Sequence, residues 1–121
     1  MATTREIPTK EWGQFFRNFN DVHNGWTCTI EILGDALGAQ LQSSGLPLTG
    51  IDADDTAEPH ITVALGEKPE AHLTHVIDAP EHVRLMQADS GDEVIEIVGG
   101  DLRTLLRFQS GNAGRRAPAA R

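Results

Sequence analysis

Five histidines, one cysteine and a handful of arginines are the side chains of this chain best suited to chemistry. Two of the histidines lie close together, in His72-Leu-Thr-His-Val-Ile-Asp-Ala-Pro80. On a helix, a spacing of three would place both imidazoles on one face and suggest a metal pair. On a strand it sends them to opposite faces. The alternation favours the strand: Leu73, His75 and Ile77 share one face, and His72, Thr74, Val76 and Asp78 share the other. Pro80 stops the ladder because it has no N–H to donate. The face of Leu73 and Ile77 is the better core face. His75 is therefore expected inside, as a core histidine with its ring nitrogens hydrogen-bonded, and His72 toward water.

His60 and His82 fall near the starts of other strands, so His60, His72, His75 and His82 could meet at one rim. A zinc site needs three or four such ligands. The plainer reading is structural, and no metal is assigned. Arg84, Arg103 and Arg107 could line an anion site on one sheet face; cross-strand pairing with Glu31, Glu93 or Glu96 is the simpler account. The candidate ligand-binding residues are thus His72, His75, Arg84 and Arg103.

Other signals lead away from catalysis. Asp52, Asp54, Asp55 and Glu58 are acidic enough for calcium but lack the central glycine and the spacing of a calcium loop, which leaves a solvated loop. Cys28 alternates with Trp26 and Ile30 on an inward face, where a thiol behaves as a small apolar group. There is no Gly-x-Ser-x-Gly elbow, no dinucleotide fingerprint and no phosphate loop. No catalytic residue and no cofactor are assigned.

Composition narrows the setting. A length of 121 residues fits one domain. The net charge is −8, and without Arg115, Arg116 and Arg121 in the tail it falls to −11. A body that acidic repels phosphate backbones, so nucleic acid is not an expected partner. No apolar run approaches the roughly 20 residues that span a bilayer, and Met1-Ala-Thr-Thr-Arg5 lacks the apolar region of a signal peptide. With a lone cysteine, these features predict a cytoplasmic protein.

The elements that must position these residues are readable from periodicity. Pro8 to about His23 is predicted as an amphipathic helix, with Trp12, Phe15, Phe16, Phe19 and Val22 on one stripe. Asn24-Gly25 ends it. Strands are then predicted from Trp26 to Leu33, across Leu37–Leu41 after a Gly34-Asp35 turn, and through Leu46-Pro-Leu-Thr-Gly-Ile51, where Pro47 marks an edge or bulge. Further strands carry Ile61, Val63 and Leu65; His72 to Asp78; Val83 and Leu85; Ile95 and Ile97; and Leu102, Leu106 and Phe108. Short links imply antiparallel pairing.

Glu11-Trp12, Phe15-Phe16, Gly25-Trp26, Ile30-Glu-Ile-Leu-Gly34, Leu46-Pro-Leu-Thr-Gly-Ile51, the His-x-x-His strand with its Ala79-Pro80, and Leu105-Leu-Arg-Phe108 occur in an order that resembles a family of small bacterial proteins known only as a domain of unknown function. The resemblance implies a bacterial, cytoplasmic, single-domain protein and transfers no catalytic residue.

The expected architecture is mainly β (α+β): an N-terminal helix and an antiparallel meander of about eight strands, barrel-like or roll-like. The domain should span residues 1–110, with 111–121 a disordered tail. The expected role is a non-catalytic binding or interaction module whose partner is a second copy or another protein, not nucleic acid or membrane. Outward residues such as Met86, Val94, Val98 and Leu105 would favour self-association. The alternative is a small-ligand or metal-binding barrel using the His72/His75 strand. An enzyme comes third.

Overall fold

The structure, a computed structural model, describes residues 2–34, 38–54 and 57–109. Asp35 of the predicted turn, Leu37 of the strand predicted after it, the side chains of Ala39 and Leu41, Asp55 and the tail 111–121 lie outside the described residues. The described elements are β1 (Thr3–Glu6), α1 (Trp12–His23), β2 (Thr27–Gly34), β3 (Gly38–Asp54), β4 (His60–Lys68), β5 (Ala71–Asp78), β6 (His82–Gln87), β7 (Glu93–Gly99) and β8 (Leu102–Gln109).

The molecule is mainly β, with the strands forming an antiparallel sheet in the order β1-β6-β7-β8-β2-β3-β4-β5. Two meanders, β2 to β5 and β6 to β8, are joined where β8 pairs with β2. The sheet does not close into a barrel: β1 and β5 are its edges. The histidine strand is therefore an edge strand, although it lies amid strands in sequence.

α1 follows a single 3-10 turn at Thr9–Glu11. Trp12, Phe16, Phe19 and His23 are its buried residues, at i, i+4, i+7 and i+11, and Phe15 packs on the flank. Val22, expected on this stripe, is 67% exposed. It lies beyond the Phe15 flank, and His23 occupies the last inward position. Burying each phenyl ring stabilises by about 2 kcal/mol, which anchors a helix too short to persist alone.

β3 merges two strands that the sequence separates. It runs 17 residues and changes partner midway. Up to Pro47 it pairs with β2; from Leu48 it pairs with β4. Pro47 falls where the ladder with β2 ends, so its missing N–H leaves no gap. Gly45, at φ +77°, supplies the left-handed residue of the irregularity beside Ile30 and Cys28. A strand that changes partner at a bulge makes a corner. Beyond that corner, the open side of β3 is met by α1: the Asn20 side-chain amide donates to Ile51 O and its carbonyl accepts from Ile51 N–H, both at 2.9 Å.

One continuous core results. Cys28, Ile30, Val83, Ile95, Ile97, Leu106 and Phe108 come from one half of the sheet, and Leu48, Ile51, Ile61, Val63 and Leu65 from the other, with the helix aromatics between them. Predicted strand faces hold for β4, β6 and β7. In β8, Leu106 and Phe108 are buried as expected, but Leu102, at the start of the strand, is exposed. β1 was not legible, because Thr-Thr-Arg-Glu is exposed on both faces and shows no alternation.

Candidate functional site

The histidines do not converge. His60 packs its Nδ1 against Glu58 O at 3.2 Å and lies 3.8 Å from Asp54. His72 is exposed, with Nδ1 2.8 Å from Pro69 O. His82 Nδ1 meets Glu6 Oε2 at 2.9 Å. No group of three or more His, Cys, Asp or Glu side chains suited to a metal occurs among the described residues.

His75 does lie on the inner face of β5, but half-buried, and no hydrogen bond reaches its ring among the described residues. The expectation of a hydrogen-bonded core histidine is thus corrected. At the sheet edge only β4 lies beside β5, and it brings no partner to the ring among the described residues. It borders a small pocket of about 160 Å³ with Ile32, Ile77, Leu102 and Thr104. Loss of water lowers its pKa below the ordinary histidine value. Gly99 closes one side of this end: a Cβ there would stand 2.8 Å from Ala79 O, so only glycine lets the β5–β6 link pass.

Sequence reasoning missed His23, which is 5% exposed. Its Nδ1 is 2.9 Å from Phe19 O and its Nε2 2.9 Å from Glu93 Oε2. The ring stacks on Phe19 with centroids 3.7 Å apart. The signal was present in the helical spacing from Trp12, Phe16 and Phe19, but a polar residue was not counted as part of an apolar stripe. This pairing also takes Glu93 away from the arginines.

Arg84 and Arg103 converge on a carboxylate rather than on empty space. On the outer face of the sheet, Glu6, Arg84, Glu96, Leu105 and Glu31 form one cross-strand row. Arg84 donates from Nη1 to Glu96 at 2.8 Å and from Nε to Glu6 at 2.9 Å. Arg103 Nε lies 3.3 Å from Glu96, and Arg107 lies 3.5 Å from Glu31. Glu96 is only 7% exposed beneath these guanidinium groups. The hydrogen bond from His82, followed by that from Arg84, outweighs desolvation and lowers the Glu6 carboxyl pKa. Glu96 first, and then Glu6, raise the pKa of Arg84. The arrangement pairs opposite charges across five strands.

Around this network the outer face carries apolar residues. Leu105 is 9% exposed, and Leu33, Met86, Val94 and Val98 are half-buried on the same face. The helix aromatics pack on the other side, in the core. Cys28 is buried there too, and desolvation pushes its thiol up to about 12, so it is not a nucleophile at neutral pH.

The fold and its surfaces define a small antiparallel β protein with an N-terminal helix. They show a cross-strand ion network and no assembled catalytic constellation among the described residues. The chain belongs to DUF5335, a family of unknown function, whose model matches residues 3–117. No curated protein and no solved structure matches it. No helix among the described residues is long and apolar enough to cross a membrane.

Proposed function

We propose that this chain is a non-catalytic interaction module that pairs with a second copy of itself through the outer face of β1, β6, β7, β8 and β2. The observation that carries the reading is this face: Met86, Val94, Val98 and Leu105 on a surface that neither α1 nor the β4–β5 hairpin covers. An uncovered sheet face with apolar residues between charged ones is the composition of an interface.

Its charges suit a copy of itself. Among the described residues, Arg103 and Arg107 each touch a single carboxylate, at 3.3 and 3.5 Å, which leaves donors to spare. Glu6 and Glu31 offer acceptors elsewhere on the same face. A two-fold axis would set one copy's arginines over the other's glutamates, as an isologous contact requires. We take the curled sheet as a roll open between β1 and β5. We place the protein in the bacterial cytoplasm, where a lone thiol such as Cys28 stays reduced.

The test is light scattering on the purified chain and on a Val94→Glu/Val98→Glu variant. The wild type should be a dimer, and the variant a monomer with the same circular dichroism and melting temperature. A wild type that is monomeric at about 100 µM would overturn the reading, since mass action should populate a functional dimer at that concentration.

A further inference from the structure

A groove of about 690 Å³ runs between the start of α1 and the end of β3, walled by Trp12, Ala53, Pro59 and Pro80, with Lys10 and Arg17 at its side. Its size is that of a small-molecule site, roughly 300–1,000 Å³. Two independent features mark it as more than a surface irregularity.

The first is charge. The chain has 18 acidic and 10 basic residues, and the sheet arginines 84, 103 and 107 all find glutamates. Lys10 and Arg17 meet no carboxylate among the described residues. Arg17 reaches only the side-chain oxygen of Gln14, at 3.2 Å. Asp54 also borders the groove, but His60 lies 3.8 Å from it. Two cations and one carboxylate, Asp54, thus border a mainly apolar groove in an acidic molecule, with Thr9 and Gln14 completing its polar side.

The second is Gly13, which lies on the groove wall within α1. Glycine is the poorest helix former after proline. Nothing about the backbone demands it, since its φ is not positive. Crowding does not demand it either: a Cβ would find Arg17 Nη1, the tip of a flexible chain, at 3.4 Å as its nearest neighbour. What glycine does here is leave this part of the groove wall without a side chain.

We propose that this groove binds a small amphipathic carboxylate, with its apolar body against Trp12, Ala53 and the two prolines and its charged end between Lys10 and Arg17. The site lies off the outer sheet face and is independent of self-association.

The experiment titrates the full chain with 8-anilinonaphthalene-1-sulfonate, an apolar anion, and then competes with dodecanoate or dodecyltrimethylammonium. Saturable one-to-one binding should be displaced by dodecanoate and not by the cation. Gly13→Ala should raise the melting temperature, whereas Gly13→Leu should fill the groove and weaken binding at least about tenfold. Should the leucine variant fail to fold, Lys10→Glu/Arg17→Glu changes only exposed side chains and should give the same loss. No saturable binding, equal displacement by the cation, or undiminished affinity in a folded Gly13→Leu or in the charge-reversed variant would overturn the proposal.

Discussion

The carboxamide of Asn20 behaves as a piece of missing strand. β3 loses β2 as a partner after Pro47, and the N–H and C=O of Ile51 on that side would be left without a ladder. Asn20 supplies one donor and one acceptor in peptide-like geometry. An unpaired buried polar group costs about 1–3 kcal/mol. Asn20→Ala should therefore lower stability by about 1–3 kcal/mol in urea denaturation with an unchanged m-value. Asn20→Asp should be no better, because a carboxylate cannot donate to Ile51 O. This role was invisible in the sequence: Asn20 reads as an ordinary polar helix residue, and its partner is 31 positions away. His23 is a similar case. Its place on the helix stripe was legible, but its bond to Glu93 joins residues 70 apart and depends on how the helix docks.

Among the elements, β3 shows where local patterning stops being sufficient. Pro47 correctly signals a break in pairing, and the sequence suggests two strands there. The backbone instead continues and changes partners, with Gly45 in the left-handed region beside the irregularity. A non-glycine residue pays about 1–2 kcal/mol for that conformation. Gly45→Ala should destabilise by about that much, and Gly45→Asn by less, because asparagine tolerates the left-handed region. Equilibrium denaturation of the pair checks this: equal loss would show that the left-handed conformation is not the cause. β4, β6 and β7 were legible because each buries one face and solvates the other. β1 was not, because it buries neither and is held by its backbone ladder to β6.

For the whole molecule below neutral pH, two described groups are displaced in the same direction. His75 has a lowered pKa in the folded chain, so the unfolded chain takes up its proton first as pH falls through 6.5. Glu6 is also lowered, and the unfolded chain protonates first as pH falls through 4.5. In both cases the unfolded state binds more protons, so stability is present above each value and is lost below it. Denaturation midpoints should fall in two windows, one below about pH 6.5 and one below about pH 4.5. His75→Gln should abolish the upper window and leave the lower one. An unchanged upper window would show that another group governs it.

Read alone, the 121 residues determined the class of the fold. Apolar alternation requires strands, short links require antiparallel pairs, and aromatics at helical spacing require a helix laid on a core. Burial of the strand residues Cys28, Ile61, Val63, Leu65, Ile95 and Phe108 followed, since each depends only on the face that its own strand buries. Strand order, the edge position of β5, the partner change in β3 and the capture of Arg84 and Arg103 by Glu96 were decided only by tertiary structure. These depend on which strand lies beside which, and that is set by contacts between residues far apart in the chain, where local period carries no information.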